Sequence, residues 1–269
     1  AKGFMALGVQ KGDKVSVWTT NLPEWVYLQC GLGMIGAVLV TVNTNYKSHE
    51  LEYILRQSDS TTLVLMEQYC DTNYYETVRS IIPGLDHMEA GSVKSENLPY
   101  LKNLVYIGER SHTPGMFSFS EVLELGKKVS DSELMSRENS VHFDDVVNMQ
   151  YTSGTTGFPK GVMLSHYNVI NNARMVVDVM GMMPGDRLLI QVPLFHCFGC
   201  VMSSLNCLVH GSTMVMVEDF DPLLALKYIQ EEKCTAINGV PTMFISILGH
   251  EDFAKYDLSS LRTGIMAGA

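Results

Sequence analysis

Positive charge is scarce in this sequence. The 269 residues include 19 Lys and Arg against 29 Asp and Glu, which gives a net charge of −10 at pH 7. This deficit argues against proteins that bind nucleic acid or anionic membrane surfaces through a broad basic face. An anionic ligand would therefore have to be held by a local group of donors.

The sequence also lacks an uninterrupted membrane span. Two windows, 25–46 and 188–217, carry no Asp, Glu, Lys or Arg, and both are longer than the roughly 20 residues that a span needs. Polar residues and glycines interrupt both windows, so each predicts a buried helix, a glycine turn and a buried strand. No charged and apolar leader precedes the opening AKGFMALGVQKGD, so no cleavable signal peptide is recognised and a cytoplasmic location is predicted.

A disulfide framework is not indicated either. The six cysteines lie mostly in apolar surroundings, which favours reduced and buried thiols. Cys197, Cys200, Cys207 and His210 have the number of ligands that zinc takes, but their segment is apolar and helix-like, whereas structural zinc sites use polar turns. No metal site is predicted.

What the sequence does contain is an alternation of strand-length and helix-length apolar segments. This pattern is typical of an α/β fold, with repeated βαβ units, mostly parallel sheets and helices on both faces. Strands are predicted at 14–20, 37–42, 61–66, 145–151, 187–192, 213–217 and 234–238. Helices are predicted from about Pro23 to Ile35, over 48–58 with Ser48 as N-cap, from Ser165 to about Met180, over 199–210 and over 221–233.

Two stretches of the chain follow the same order of signals. Gly12-Asp13 precedes Gly36 by 24 residues, and Gly185-Asp186 precedes Gly211 by 25 to 26. The similarity fits two copies of one βαβαβ unit, and it equally fits the general likeness of α/β chains. The predicted sub-units are 1–140, the first half with its connections, and 145–269, the second half with the loop described next.

The segment YTSGTTGFPKG, residues 151–161, concentrates hydroxyl and glycine residues before one lysine. Glycines let backbone N–H groups converge on an anion, hydroxyls add donors, and Lys160 adds a point charge. A P-loop is excluded, because no lysine follows the second glycine directly and a strand rather than a helix follows. The composition alone is also compatible with a structural loop.

The segment YTSGTTGFPKGVMLSH resembles the phosphate-loop signature of the adenylate-forming superfamily, which includes acyl-CoA synthetases, non-ribosomal adenylation domains and beetle luciferases. The resemblance extends over essentially the whole chain. It includes the turn Asn21-Leu22-Pro23-Glu24-Trp25, the aromatic motif Pro193-Leu194-Phe195-His196 with Gly199, and Gly239-Val240-Pro241-Thr242. Within the superfamily, the chain is most similar to fatty acyl-CoA ligases of the medium-chain group.

The resemblance implies a two-step ligase that uses ATP, Mg²⁺ and coenzyme A with a small-molecule carboxylate. The phosphate loop would hold the β- and γ-phosphates through Thr152, Ser153, Gly154, Thr155, Thr156, Gly157, Phe158, Pro159 and Lys160. Lys160 would meet the phosphate charge. His196 would orient carboxylate or phosphate rather than transfer a proton, although a lone histidine in an apolar segment also fits a core residue. The acyl channel is expected to be lined by Val240, Pro241, Thr242, Met243, Gly264, Ala267, Gly268 and Ala269, for which ordinary packing is the alternative.

Other parts of the family pattern are not found in the sequence. These are the adenine-binding segment, a Y-G-x-T-E motif whose Thr and Glu serve magnesium and phosphate, a ribose-binding Asp, a hinge and a C-terminal domain with the adenylation lysine. The chain is therefore expected to be an incomplete large N-terminal domain, cut at both ends and with little or no ligase activity alone.

Two alternatives stay open. One is a relative that binds acyl groups or nucleotides without catalysis, and the other is an enzyme that adenylates amino acids or aryl acids. An amino-acid enzyme would need a carboxylate after the aromatic motif to meet the substrate ammonium, and HCFGCVMSSLNCLVHG has none. This favours an uncharged acyl tail.

Overall fold

The computed structural model describes residues 1–110, 113–152 and 159–268, and it divides them into two compact units. The first unit comprises Ala1–Thr19 and Pro23–His166, and the second comprises Thr20–Leu22 and Tyr167–Ala269. This division differs from the predicted boundary at 140–145. The two strands around the phosphate loop pair with the first sheet, so they belong to the first unit.

The first unit is built on a seven-stranded sheet in the order β7-β6-β3-β1-β2-β8-β9. All neighbours are parallel except β8 and β9, which form an antiparallel hairpin. Its strands are β1 Lys14–Trp18, β2 Val38–Thr41, β3 Ser60–Met66, β6 Asn103–Ile107, β7 Phe117–Ser118, β8 Val146–Thr152 and β9 Lys160–Ser165, with a separate two-stranded ribbon of β4 Gln68–Tyr69 and β5 Thr72–Asn73. Its helices are α1 Lys2–Ala6, α2 Pro23–Met34, α3 Ser48–Gln57, α4 Tyr74–Ile81, α5 Phe119–Gly126 and α6 Asp131–Glu138, with a 3₁₀ turn at Leu85–His87.

The second unit has a four-stranded parallel sheet in the order β11-β10-β12-β13. Its strands are β10 Arg187–Ile190, β11 Thr213–Met216, β12 Ala236–Gly239 and β13 Thr263–Met266. Its helices are α7 His166–Met180, α8 Cys197–Gly199, a π-helix at Cys200–Leu205, α9 Asn206–His210, α10 Pro222–Glu231 and α11 Pro241–Leu248, with a 3₁₀ turn at Phe253–Lys255.

Both faces of the second sheet are covered by helices, as the α/β pattern predicted. On one face, Leu189 and Ile237 pack in a buried cluster with Leu226 and Ile229 of α10. On the other face, the Asn238 side chain bonds to the π-helix. The predicted fold class is confirmed.

The two units repeat one arrangement of strands. The first sheet contains β6-β3-β1-β2, the second contains β13-β12-β10-β11, and their chain order is the same. The turns before the first strands also match, since Gly12 has a φ of +85° and Gly185 a φ of +89°. The Asp13 and Asp186 carbonyls each accept an N–H bond at 2.8 Å from the adjoining strand. Strand order and turn geometry thus support the repeat.

Three local predictions need correction. Ser48 is the first residue of α3 and not its cap; the Glu50 carboxylate accepts the N–H of Lys47 at 3.2 Å instead. The single helix predicted for 199–210 begins at Cys197 and contains the π-helix. Two strands end two residues earlier than predicted, β1 at Trp18 and β10 at Ile190.

The two long uncharged windows divide into helices and strands as predicted, with Gly36 and Gly211 in left-handed turns between them. Among the described residues, the structure has no helix of the length and apolarity required to traverse a bilayer.

Asp186 makes the second unit sensitive to acid. Burial raises the pKa of its carboxyl, but the bonds from the Met183 N–H, the Thr235 hydroxyl and the Arg262 guanidinium outweigh burial, so the pKa falls below its usual value. A depressed carboxyl pKa stabilises the fold above the unfolded value of about 3.9, and this stability is lost as pH falls through the folded value.

We therefore expect Asp186→Asn to reduce the free energy of unfolding at pH 7 and to flatten its decline below about pH 4. Urea unfolding between pH 3 and pH 7 measures both effects, with the exposed Asp219→Asn as the control. Parallel pH curves for Asp186→Asn and the parent protein would contradict this role.

Candidate functional site

The candidate phosphate loop connects the two strands of an antiparallel hairpin. Thr152 at the end of β8 lies opposite Lys160 at the start of β9, and Tyr151 lies opposite Gly161. Ser153, Gly154, Thr155, Thr156, Gly157 and Phe158 lie outside the described residues, so phosphate binding by these six stays a prediction. The prediction that strands bound the loop on both sides is confirmed.

Helix α3 contacts this hairpin at the end that carries the loop. The Tyr53 hydroxyl donates to the Pro159 carbonyl at 3.1 Å, and the Tyr151 hydroxyl donates to the Gln57 side chain. Burial raises the pKa of Tyr151, which keeps its phenol neutral and able to donate. The two ends of the loop are thus fixed by one helix.

Lys160 is the first residue of β9, directly after the loop, and its side chain is exposed. Within the part of the chain that the structure describes, no Asp or Glu forms a salt bridge with its ammonium group. The charge is therefore available to an external anion. Thr152 is exposed and Pro159 is half-buried beside it.

The second unit has a crevice position of the kind that binds ligands in α/β sheets. The chain passes from β10 to β11 on one side of it, and then crosses back to β12 on the other side of β10. Ligands bind at the carboxyl ends of strands at such a switch point. The segment 191–197 follows β10, and Val240 to Met243 follow β12. The segment with His196 and the predicted acyl-channel residues Val240 to Met243 therefore follow strand ends at the same edge of the sheet.

The contacts at this edge bring several of the predicted residues together. The Ala267 N–H donates to the Gly239 carbonyl at 3.2 Å. Gly268 has a φ of +79°, and a Cβ built there would lie 3.3 Å from a Val240 methyl carbon. Pro241 and Met243 are half-buried in the first turn of α11, and Thr242 is exposed beside them. Ala269 lies outside the described residues.

Gly264 has a different environment from these residues. It lies within β13 opposite Ile237, and a Cβ there would approach the Ile237 carbonyl oxygen to 2.0 Å. Glycine is required for strand pairing at this position, which supports the packing interpretation for Gly264.

His196 caps the start of α8. Its Nδ1 accepts the Phe198 N–H at 3.2 Å, so in the neutral ring the proton is on Nε2. The ring is exposed to solvent on one side, while desolvation on the other lowers its pKa below the usual value. At neutral pH, His196 is consequently an uncharged donor through Nε2–H. This suits orientation of a carboxylate or phosphate oxygen and supports the role predicted for it.

The turn that carries His196 is held by a residue not predicted as functional. Asn21 is buried; its amide donates to the Val192 carbonyl at 3.0 Å and the Val217 carbonyl at 3.1 Å, and its carbonyl accepts the Leu194 N–H at 2.8 Å. The family resemblance included Asn21 in a turn but assigned it no role. A polar residue two positions before Pro23 and an apolar helix was the only signal in the sequence.

The structure gives no geometry for a metal site in the residues it describes, where no three His, Cys, Asp or Glu side chains cluster suitably. The cysteines are all free: Cys200, Cys207 and Cys234 are buried, Cys197 is half-buried, and Cys30 and Cys70 are exposed. Burial raises the pKa of Cys207 to about 12, so that thiol stays protonated. The predicted burial of the thiols holds for Cys200, Cys207 and Cys234, in part for Cys197, and is wrong for Cys30 and Cys70.

The chain is similar to known proteins over its whole length. A Bacillus subtilis (strain 168) protein named "Putative acyl-CoA synthetase YngI" is 53% identical over 269 residues, which are 100% of this chain and 49% of that protein. The human "Medium-chain acyl-CoA ligase ACSF2, mitochondrial" is 34% identical over 275 residues, covering 100% of this chain and 44% of its own length. The chain thus spans about half the length of these relatives.

Among solved structures, the anthranilate CoA ligase AuaEII in complex with anthranoyl-AMP matches 100% of this chain and 48% of its own, with a TM-score of 0.80 and 28% identity. The profile of the family described as AMP-binding enzyme matches residues 1–269. The chain therefore belongs to the AMP-binding enzyme family.

Proposed function

We propose that this chain is part of an ATP-dependent fatty acid–CoA ligase. In the first step, a carboxylate oxygen attacks the α-phosphorus of ATP, and pyrophosphate leaves with the electron pair of the broken P–O bond. In the second step, the sulfur of coenzyme A attacks the acyl carbon, AMP leaves, and the thiol proton is released. Family membership and the names of the relatives support this reaction.

The observation that carries the choice of substrate is the absence of charge at the edge of the second sheet. The sequence segments 191–199, 239–244 and 266–268 contain no Asp, Glu, Lys or Arg. An amino-acid substrate would bring an ammonium group that requires a buried carboxylate partner. An uncharged acyl tail requires none, and Val240, Met243 and Ala267 offer apolar contacts.

The hairpin of the first unit supplies the positive charge that the first step requires. The reacting carboxylate and the triphosphate repel each other, by about 1 kcal/mol per charge pair at 4 Å in water and about 4 kcal/mol at an effective dielectric of 20. The Lys160 ammonium offsets this repulsion and stabilises the departing pyrophosphate. Thr152 and the six loop residues 153–158 are proposed to hold the β- and γ-phosphates.

His196 contributes as a neutral donor. Its Nε2–H is proposed to hold one oxygen of the substrate carboxylate or of the α-phosphate. Mg²⁺ is expected to accompany ATP, and no described residue is assigned to it. A cytoplasmic location stays a prediction.

An aryl acid is the second candidate substrate. The solved structure with a TM-score of 0.80 contains an aryl adenylate, and the same uncharged segments would accept a flat ring. A relative without catalysis is the remaining alternative.

A pyrophosphate-exchange assay of the intact protein, with straight-chain acids from acetate to palmitate and with aryl and amino acids, distinguishes these possibilities. We expect exchange with straight-chain acids, an optimum at intermediate length and none with amino acids. Preferred exchange with benzoate or anthranilate would establish the aryl alternative. A protein that supports no exchange with any acid would be a binding relative.

A further inference from the structure

A continuous chain of hydrogen bonds crosses the second unit from β13 to His196. The Asn238 carbonyl oxygen Oδ1 accepts the Ile265 N–H at 3.1 Å, and Asn238 Nδ2 donates to Ser203 Oγ at 3.1 Å. Ser203 Oγ then donates to the Phe198 carbonyl at 2.9 Å. His196 Nδ1 accepts the Phe198 N–H at 3.2 Å, and the Cys197 sulfur lies 3.7 Å from the same nitrogen. Each link is between described residues of the same unit.

The members of this chain are buried where polar side chains cost free energy unless they are paired. Asn238 and Ser203 are both fully inaccessible to solvent. Asn238 also donates to the Met202 carbonyl at 3.3 Å, so its amide uses both donor and acceptor. Leu or Val would fill a strand position inside a core at no such cost. The network therefore has a specific structural effect, which is to join a strand to the helix beside it.

The helix to which the Asn238 side chain bonds is a π-helix, residues Cys200–Leu205. A π-helix is rare, appears mostly as a single wide turn within an α-helix, and is frequent at functional sites. Ser203 lies inside this segment, and its hydroxyl reaches back five residues to Phe198. The π-helix is thus bonded to Phe198 of α8, whose N–H donates to Nδ1 of the His196 ring.

We propose that Asn238 and Ser203 are positioning residues for the acyl site, which fix the ring orientation and the Nε2–H tautomer of His196 relative to the β13 edge at Ala267 and Gly268. This inference rests on the proposed function for its effect on substrate, but not for its effect on the ring. The Ser203 hydroxyl donates to the Phe198 carbonyl, and the Phe198 N–H donates to His196 Nδ1. The Asn238 amide of β12 donates to Ser203 Oγ and so connects this part of the chain to the strand.

The test compares Ser203→Ala with Ser204→Ala in the intact protein. Ser204 is the matched control, because it is equally buried in the same π-helix and its hydroxyl donates to the Cys200 carbonyl at 2.8 Å rather than to the Phe198 carbonyl. Both variants lose one buried hydroxyl, so both are expected to unfold at similarly reduced urea concentrations. Only Ser203→Ala breaks the chain to His196.

Two measurements read out the positioning role. The first is ¹⁵N NMR of histidine-labelled protein, with His196→Gln used to assign the signals of that ring. The wild type and Ser204→Ala should show Nδ1 unprotonated and Nε2 protonated at neutral pH, whereas Ser203→Ala should show a mixture of both tautomers.

The second measurement is the KM for the preferred carboxylate in pyrophosphate exchange. We expect it to rise about fivefold in Ser203→Ala, as for the loss of one hydrogen bond, with little change in kcat. Selectivity against a carboxylate two carbons longer should weaken.

The outcomes separate this inference from the proposed function. Ring signals in Ser203→Ala that equal those of Ser204→Ala would overturn the positioning role, whatever the kinetics. Altered ring signals with an unchanged KM and unchanged chain-length selectivity would overturn its effect on the acyl site. If the wild type exchanges pyrophosphate with no acid, the proposed ligase is wrong, and the comparison of ring signals still decides whether Ser203 positions His196.

Discussion

Replacing Lys160 by Ala in the intact protein is expected to lower the rate of ATP–pyrophosphate exchange by about 10²- to 10³-fold. Removal of one group that stabilises transition-state charge has an effect of this size in other enzymes. Lys160 is the only lysine or arginine of segment 151–161, and its side chain is exposed at the start of β9, directly after the loop. The charge of the departing pyrophosphate would then lack its nearest proposed counter-charge.

The same substitution should leave folding almost unchanged. Lys160 is exposed, and substitutions at such positions change the free energy of unfolding by less than about 0.5 kcal/mol. Lys160→Arg keeps the charge but not the compact ammonium group, so partial activity is expected. Lys128→Ala is the control, because Lys128 is also an exposed lysine of the first unit and lies far along the chain from the loop.

Exchange kinetics at saturating carboxylate, with ATP varied, distinguish binding from chemistry in this series. A fall in kcat with a smaller change in the KM for ATP indicates stabilisation of the leaving group. Exchange at the wild-type rate in Lys160→Ala would rule out the proposed role and return the segment to a structural loop.

The sequence was sufficient for the order of elements because local signals repeat along the chain. Pro23 predicted the start of α2, and Gly36 and Gly211 predicted the left-handed turns that end the helices before β2 and β11. The position of the loop between strands also followed from the apolar runs on both sides. These signals act over a few residues, and a sequence displays them directly.

The missed features depend on contacts between residues distant in sequence. Nothing near Asn238 indicates that its amide meets Ser203, 35 positions earlier, or that a π-helix would form there. The boundary between the units was misplaced for a similar reason. The strands β8 and β9 follow the polar connection at 130–140, but β8 pairs beside β2, more than 100 residues earlier in the chain. Hydrophobic patterns predict strands, and they do not identify the neighbours of a strand.

The repeat within the chain places different side chains at corresponding positions of the two sheets. Trp18 at the end of β1 pairs with Leu65 of β3, and its ring stacks on Tyr74 at 3.6 Å between centroids. By the same register, Gln191 after β10 corresponds to Trp18, and Gly239 of β12 corresponds to Leu65. Large side chains therefore fill the switch point of the first unit, whereas small and polar ones occupy that of the second. This difference is consistent with the proposal that the acyl site lies in the second unit.

Asn21→Ala is expected to have the largest effect on stability, with a loss of about 3 to 5 kcal/mol in the free energy of unfolding of the second unit. The substitution leaves two carbonyls and one N–H without their side-chain partner, and each unsatisfied buried group costs about 1 to 3 kcal/mol. The residues concerned, Val192, Leu194 and Val217, are at most 2% exposed, so water cannot readily replace the amide. A typical domain has about 5 to 15 kcal/mol in total, so the variant would be close to unfolding.

Two further variants separate hydrogen bonding from the cavity that Ala leaves at position 21. Asn21→Asp keeps the volume and the acceptor for the Leu194 N–H, but it turns an oxygen toward the Val192 and Val217 carbonyls. It should therefore be destabilised at pH 7 at least as strongly as Asn21→Ala. Asn171→Ala is the matched control, because Asn171 is on α7 and bonds only to the Tyr167 carbonyl one turn earlier among the hydrogen bonds described here. Urea unfolding followed by circular dichroism measures all three. If Asn21→Asp is as stable as the parent protein, the amide donors are not what holds the turn, and the account of how His196 is presented at the sheet edge fails with them.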